Sequence, residues 1–385
     1  MGSSSSKPSS KSTTSQSSKS AEPLKKDRPS TIPTLTSPPP SRTPYIIPSH
    51  AGESLTLPGS KSVYRILASS LQTDSTIALF TSTSVAAPAP GFHWHAKTHD
   101  IFLVTRGFLK LWNGSKCRIM GPGDFAYVPP RAIHNPEPLG PCTELLGLVA
   151  PGDWVDFFRE VGEPYEGILV PEKDERDLRA LLGPRMREAG EKWDVYFERG
   201  HKGPEVGEWE EGECVLPEPG VGYFLRAERG PRWLLGGVLV RPFINAVQCE
   251  GLFSISGIES SGMYEEEPFR GCWLTFPKVD HCFHVMEGEL RVSIKGGEWS
   301  SVRVGETAVV SAGRSFRLGF GSRYVRVISF VNGEGLETVM QRAGMSYDGH
   351  VLPDKAEKYS EEKLKGVCVE MGVAVDQVEH LQTAT

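Results

Sequence analysis

The most constraining feature of the sequence is that its two halves repeat one pattern of glycines, strand-length segments and turns. Three matched pairs carry the repeat: Gly107 with Gly288, Gly123 with Gly305, and residues 165–167 with residues 347–349. Each glycine precedes a segment of strand length, and the third pair is a Tyr-acid-Gly triplet. The spacing between partners stays nearly constant, which chance rarely achieves over such a length. We therefore predict a tandem duplication.

Short apolar runs separated by turn residues recur throughout both halves. Phe125–Val128 and Leu145–Val149 are examples from the first half, and Tyr324–Ile328 is one from the second. The chain contains 41 glycines and 30 prolines, and few stretches carry helical periodicity. Evenly spaced short strands indicate an all-β protein in which each half forms a closed barrel or a double-sheet unit.

Two segments do show a helical pattern, one near the end of each half. Residues 174–182 place leucines on one face before Gly183-Pro184, and these two residues predict that the helix ends there. In the second half, Ser360 can cap a helix that ends at Gly372. We therefore expect short helices flanking the strands.

Composition excludes several classes of function. The net charge is -6 and no basic stripe offsets it, so nucleic acid is not an expected partner. No apolar run approaches the roughly 20 residues of a membrane-spanning helix. Seven cysteines form no Cys-x-x-Cys pair, which favours reduced thiols in a cytoplasmic protein.

The N-terminal segment differs from the rest of the chain. Residues 1–42 are rich in Ser, Lys, Thr and Pro and contain no hydrophobic core of a signal peptide, so we expect disorder. Gly2 after Met1, followed by Ser6, fits the pattern for N-myristoylation. The lysines of this segment could add an electrostatic attraction to a membrane surface, which would give peripheral association.

Three histidines and a carboxylate form the clearest candidate site. His93 and His95 are two residues apart, so on a strand both project from the same face. Asp100 begins the next strand-like run, and His134 follows a later one. A His-x-His pair alone is weak evidence, but the full set predicts one metal ion held by three nitrogens. Imidazole and carboxylate suit copper, iron, nickel, manganese or zinc. His99, beside Asp100, is expected near the metal site or in solvent.

These residues resemble the two motifs of the cupin superfamily. The first motif is matched by His93, His95, Asp100 and Gly107, and the second by Gly123, Pro129 and His134. Two positions depart from the motifs, because Asp100 stands where Glu is usual and Arg131 where Gly is common. Over roughly residues 43–345, the chain is similar to the fungal quercetin 2,3-dioxygenases, which are bicupins.

The resemblance implies two tandem double-stranded β-helices, also called jelly-roll barrels, with short flanking helices. The expected divisions are a tail (1–42), a metal-binding cupin (43–172), a helical linker (173–217), a second cupin (218–345) and a C-terminal segment (346–385). In the second copy, the four site positions correspond to Leu274, Phe276, His281 and Phe316. Three ligands have thus become apolar, and we expect one divalent metal per chain.

The resemblance also implies a reaction. In such enzymes a metal held by His93, His95 and His134 would bind a flavonol, and Asp100 would take its hydroxyl proton and could be a fourth ligand. Asp is one methylene shorter than Glu, so its carboxylate would retreat by about 1.5 Å and direct ligation becomes less favourable. Dioxygen would then open the ring. The expected metal is copper or iron, with nickel, manganese or zinc as alternatives.

The substrate is less closely defined than the metal site. Phe102, Pro136 and Leu145 are expected to line the pocket, and the last two differ from the aromatic residue and Met of the flavonol enzymes. The leading hypothesis is a metal-dependent dioxygenase acting on a phenolic with O2. The alternatives are a cupin isomerase, cyclase or decarboxylase, and a non-catalytic, pirin-like bicupin. A homodimer is left open.

Overall fold

The computed structural model describes residues 31–87, 89–265 and 267–377. The proposed myristoylation at Gly2 and the rest of the segment through residue 30 lie outside the described residues. The strands of the first repeat are β1 (Tyr45–Ile47), β2 (Glu53–Thr56), β3 (Ser62–Ala68), β4 (Ala78–Ser84), β5 (His93–Trp94), β6 (His99–Arg106), β7 (Leu109–Asn113), β8 (Lys116–Met120), β9 (Phe125–Val128), β10 (His134–Pro138), β11 (Thr143–Ala150), β12 (Glu163–Pro164) and β13 (Tyr196–Phe197).

The second repeat has the same number of strands. They are β14 (Tyr223–Leu225), β15 (Trp233–Leu235), β16 (Val238–Ile244), β17 (Phe253–Ser260), β18 (Cys272–Thr275), β19 (His281–Glu287), β20 (Glu289–Ile294), β21 (Trp299–Arg303), β22 (Thr307–Val310), β23 (Phe316–Phe320), β24 (Val325–Asn332), β25 (Met345–Ser346) and β26 (Ala374–Gln377). The α-helices are α1 (Ser70–Thr73), α2 (Asp156–Val161), α3 (Leu178–Lys192), α4 (Leu336–Ala343) and α5 (Glu361–Glu370). Short 3-10 helices span Gly152–Val155, Glu211–Cys214 and Ala246–Cys249.

Each repeat builds one barrel from an eight-stranded and a five-stranded antiparallel sheet. The first barrel has the orders β12-β2-β3-β4-β11-β6-β9-β14 and β13-β5-β10-β7-β8. The second has the orders β25-β15-β16-β17-β24-β19-β22-β1 and β26-β18-β23-β20-β21. The two sets are the same once each strand is matched with its counterpart. The prediction of an all-β tandem of jelly-roll barrels with short flanking helices is confirmed.

The first strand of each repeat is exchanged between the barrels. β1 pairs with β22 of the second barrel, where Tyr45 lies opposite Val309. β14 pairs with β9 of the first barrel, where Tyr223 lies opposite Tyr127. The two barrels are therefore joined through continuous sheets as well as through the packing of their surfaces.

The segment predicted as a helical linker, residues 173–217, forms part of the first barrel. α3 is followed by β13, which pairs with β5. In the second repeat α5 is followed by β26, which pairs with β18, the counterpart of β5. The chain after each barrel thus repeats as well, and only part of the linker is helical.

Two other predictions about the flanking segments are wrong in part. Residues 31–42, assigned to the disordered tail, pack on the second barrel: Ile32 is buried, and the Arg42 guanidinium contacts Asp280 at 2.9 Å. The helix expected over 174–182 runs instead over Leu178–Lys192, with Pro184 inside it. A proline removes its own N–H bond and strains the preceding turn, but packing can maintain the helix across it. The second predicted helix is confirmed, because the Ser360 hydroxyl accepts from Lys363 N at 3.1 Å.

The interiors of the two barrels are filled differently. In the second barrel, Leu274, Phe276 and Phe316 belong to a continuous apolar core. The first barrel instead encloses a cavity of about 930 Å³. A separate apolar cluster that includes Tyr127 and Phe253 lies between the barrels. No helix in the described part of the chain is long and apolar enough to cross a membrane.

Candidate metal centre

The three histidines meet because two strands of the five-stranded sheet are neighbours. β5 carries His93, β10 begins with His134, and these two residues lie directly opposite each other in the ladder. His95 follows β5 two residues after His93, which places its ring on the same side. The ring centroids of His93 and His134 are 4.1 Å apart, and that of His95 lies 5.4 and 5.2 Å from them. One nitrogen of each ring lies within 4.8 Å of the other two.

Backbone carbonyl groups fix which ring nitrogen faces the centre. Nδ1 of His93 bonds Gly91 O at 2.8 Å, Nδ1 of His95 bonds Asp194 O at 2.5 Å, and Nδ1 of His134 bonds Ala132 O at 3.0 Å. A carbonyl oxygen only accepts, so each Nδ1 carries the hydrogen. Each Nε2 of a neutral ring then offers a lone pair. This is the arrangement in which metal-binding histidines are commonly held.

The carboxylate of Asp100 completes the group. Its Oδ2 lies 3.1 Å from Nε2 of both His95 and His134. Burial acts to raise the pKa of Asp100, but the two imidazoles outweigh it and hold this pKa below its ordinary value. The shorter Asp side chain therefore does reach the histidine nitrogens. Whether it ligates a metal directly stays a prediction.

The donor atoms present fit a cation. Nε2 of His95 and of His134 are buried and make no hydrogen bond within the described residues. Two lone-pair nitrogens and an ionised oxygen would repel one another unless a positive charge lies among them. A separation of 3.1 Å is also what two atoms have when both bind one ion at about 2.1 Å. The triad could thus hold a divalent metal.

Electrostatics favours a neutral imidazole at His93. Burial, followed by repulsion from His134 and His95, lowers the pKa of His93 well below its ordinary value. Burial opposes protonation of His95 as well, but Asp100 outweighs it and raises the pKa of His95. In the absence of a metal ion, a proton on His95 would take the place of the positive charge beside Asp100.

The cavity opens directly onto this group. Its wall includes the four predicted ligands and all three predicted pocket residues, Phe102, Pro136 and Leu145. Sequence reasoning missed most of the aromatic lining, which includes Tyr64, Phe80, Phe92, Trp154, Phe158, Tyr196 and Phe197. It also missed α3, whose Leu178 and Gly190 reach the cavity wall. The repeat could have predicted that α3 and β13 belong to the first barrel, because the segment after the second barrel contains a matching helix and strand.

The second barrel has the same framework without the ligands. Leu274 lies opposite Phe316 in the β18–β23 ladder, as His93 lies opposite His134. His281 pairs with Val310 in the way that Asp100 pairs with Val128, so the sequence correspondence is confirmed. Among the described residues, the His93–His95–His134 set alone brings three metal-binding side chains together.

Two neighbouring residues behave differently from the sequence prediction. His99 lies neither beside the metal group nor in solvent, because it is 4% exposed and bonds the Tyr127 hydroxyl at 2.8 Å between the barrels. Arg131 has a φ of 69°, and its N–H donates to His95 O at 2.6 Å. Gly313 has the same role in the second repeat, with a φ of 76° and a bond to Phe276 O. The position therefore requires a left-handed backbone, which explains why Gly is common there.

Comparison with known proteins agrees with this geometry. Residues 84–145 match the cupin domain family. The quercetin 2,3-dioxygenase of Aspergillus japonicus is 25% identical over 295 residues, which are 68% of this chain and 81% of that protein. The quercetin 2,3-dioxygenase of Bacillus subtilis (strain 168) is 30% identical over 137 residues, 36% of this chain and 40% of that protein.

The chain has the two-barrel fold of a bicupin and resembles quercetin 2,3-dioxygenase.

The match to the Bacillus protein covers less than half of its length, so its activity as a whole is not carried over to the bicupin. A structure of the oxalate decarboxylase of Bacillus subtilis superposes on this chain with a TM-score of 0.45. The sequence identity is 15%, and the match covers 75% of this chain and 76% of that chain. A Pseudomonas aeruginosa protein of solved structure gives a TM-score of 0.48 and 12% identity over 76% of this chain and 90% of that chain.

Proposed function

We propose that the bicupin is a metal-dependent dioxygenase that opens the ring of a flavonol or related phenolic with O2. The observation that carries this proposal is the convergence of His93, His95 and His134 beside Asp100 at the wall of an aromatic-lined cavity. Two relatives named quercetin 2,3-dioxygenase support the choice of reaction.

The proposed ligands are the three Nε2 atoms, with the Asp100 carboxylate as a fourth. A divalent transition metal at this position would supply Lewis acidity toward a phenolic oxygen, and a redox-active one would also supply reactivity with dioxygen. Copper or iron is our first choice of metal, and nickel, manganese or zinc are the alternatives, because imidazole and carboxylate accept all five.

Asp100 is the proposed general base. The neighbouring imidazoles lower its pKa and keep its carboxylate ionised, and Oδ2, which lies against the histidines, is the oxygen that would accept the proton. In this role it would take the hydroxyl proton of the phenolic and leave an oxygen anion facing the histidines. Because Asp100 is 7% exposed, bulk water has little access to that proton.

The remainder of the cavity suits an aromatic ligand. A volume of about 930 Å³ lies within the range of small-molecule sites, and aromatic rings dominate its wall. Phe102 lies 6.4 Å from the His134 ring between centroids, so it borders the metal group. We propose that Phe102, Pro136 and Leu145 contact the substrate, and that Pro136 and Leu145 shift its preference away from the flavonols of the fungal enzymes.

Elemental analysis and oxygen uptake together test the function. The purified bicupin should contain one transition metal ion per chain and should consume O2 when quercetin or a related flavonol is added. His134→Ala should lose both properties while its folding persists, and His350→Ala, which changes an exposed histidine, should lose neither. A fully metal-loaded protein that consumes no O2 with any phenolic would contradict the proposal.

A non-oxidative reaction is the second candidate, since the same Asp100 could move a proton in an isomerisation, cyclisation or decarboxylation. Turnover that continues without O2 would favour it. A phenolic that raises the melting temperature and is never turned over would favour a binding protein. We further propose a cytoplasmic location, with Gly2 myristoylation as its link to membranes. Of the expected domain divisions we keep a first cupin that binds metal and a second that does not, with residues 31–42 packed on the second barrel and β13 of the expected linker joined to the first. A homodimer is left open.

A further inference from the structure

We propose that Asp194 is a positioning residue that orients the metal ligand His95. The inference rests on the metal site of the proposed function and is independent of its substrate. Asp194 lies between α3 and β13, in the segment that the sequence assigned to a linker. It is separated from His95 by about a hundred residues of chain, yet it contacts that histidine directly.

The backbone of Asp194 holds the imidazole of His95. Its carbonyl oxygen accepts the hydrogen of His95 Nδ1 at 2.5 Å. This bond turns Nε2 toward Asp100 and the other two histidines. A hydrogen bond of this kind fixes both the tautomer and the ring orientation of a metal ligand.

The carboxylate of Asp194 holds the turn that leaves His95. Oδ1 accepts from Ala96 N at 2.7 Å, and Oδ2 accepts from Lys97 N at 2.8 Å and from Thr98 N at 3.0 Å. The Thr98 hydroxyl donates to Oδ2 as well, at 3.0 Å. This turn joins His95 to the strand that carries Asp100, so one carboxylate fixes the connection between two members of the metal group.

The second repeat provides an internal control. Gly372 occupies the position of Asp194, with a φ of 68° against 57°. The local hydrogen bond is the same, since Val195 N donates to Gly190 O at 3.0 Å and Val373 N to Cys368 O at 2.8 Å. Glycine thus satisfies the backbone requirement of the fold at this point.

The two repeats differ in the side chains that surround this shared backbone. The second repeat has Phe276 in place of His95, and at the position of Asp194 it has Gly372, which carries no carboxylate. The first repeat has His95 together with Asp194, although Asp is less favourable than Gly in the left-handed region. The carboxylate therefore accompanies the metal ligands, and the fold itself can form without it.

Asp194→Gly separates the two roles, because it keeps the backbone conformation and the carbonyl while removing the carboxylate. We expect the dissociation constant for Zn²⁺ or Co²⁺ to rise by about 10- to 100-fold. The absorption spectrum of the Co²⁺ protein should change as well. The metal-free variant should still fold and unfold cooperatively, with a melting temperature lowered only modestly by the loss of these four hydrogen bonds. Asp194→Asn, which keeps one acceptor oxygen, should recover part of the affinity. Glu205→Gln removes an exposed carboxylate from the same segment and should change none of these.

An unchanged metal affinity and spectrum in Asp194→Gly would overturn the inference. A metal-free variant that no longer folds would also overturn it, since the carboxylate would then serve the fold. A wild-type protein that binds metal with Asp194 acting as expected, yet turns over no phenolic, would contradict the proposed function alone.

Discussion

Tyr45 lies in a sheet of the second barrel, but its hydroxyl donates to Leu67 O of the first barrel at 2.7 Å. Tyr223 makes the reciprocal connection, because it lies in a sheet of the first barrel and donates to Phe243 O of the second at 2.6 Å. Both side chains are buried. Each tyrosine thus links the two barrels through its backbone on one side and its hydroxyl on the other.

Tyr45→Phe and Tyr223→Phe should each destabilise the whole protein. Each change leaves a buried carbonyl without its partner, which should lower the free energy of unfolding by about 1–3 kcal/mol. Because the strands are exchanged, chemical denaturation should show one transition for both barrels in wild type and variants. Two separate transitions would contradict this account. Metal content should not change.

Asp100→Asn should retain the fold and lower oxygen uptake by about 100-fold or more, because a neutral amide cannot accept the substrate proton. Metal should still bind through the three imidazoles, though with lower affinity. The measurement is steady-state O2 consumption on protein of known metal content. Asp153→Asn, at an exposed position, is the matched control. A rate near that of the wild type would remove Asp100 from the proposed mechanism.

Phe316→His should not create a second metal site. Its ring would lie beside Leu274, Phe276 and His281, so two imidazoles at most would meet in an otherwise apolar interior. The buried polar group should lower the free energy of unfolding by about 1–3 kcal/mol. Elemental analysis should still give one metal per chain. A second equivalent would show that His281 can recruit an ion with only one further histidine.

Gly147→Ala should reduce substrate binding without reducing metal content. A methyl group at this position would lie 2.4 Å from Cζ of Phe80, so the ring would have to move within the cavity that it lines. We expect a higher KM for phenolics, by about 10-fold, from the loss of pocket volume. Gly271→Ala, where the added methyl meets nothing within 4 Å, is the control. Equal KM values in the two variants would place the substrate elsewhere.

Part of the metal group could be predicted from the sequence because its geometry is local, and His134 and Asp100 were added through the resemblance to the cupin motifs. His93 and His95 are two residues apart on a strand, which alone puts them on one face. The absence of ligands in the second repeat could also be predicted, because aligning the two repeats places Leu274 and Phe316 at the positions of His93 and His134.

Long-range pairing could not be predicted in this way. The exchange of β1 and β14, the pairing of β13 with β5, and the contacts of Asp194 depend on how distant segments meet. Hydrophobic periodicity carries no information about such partners. Pro184 was misread for a related reason, because tertiary packing can maintain a helix that local propensity would end.

The exchanged strands make the repeat without the three histidines a structural part of the barrel that carries them. Tyr223–Leu225 covers the edge of β9, and this segment belongs to the repeat that has lost its ligands. Deleting that repeat would leave the eight-stranded sheet of the first barrel, which carries Asp100, with an open edge, prone to pair with other chains. The second half therefore completes a sheet of the first barrel, whatever its own interior contains.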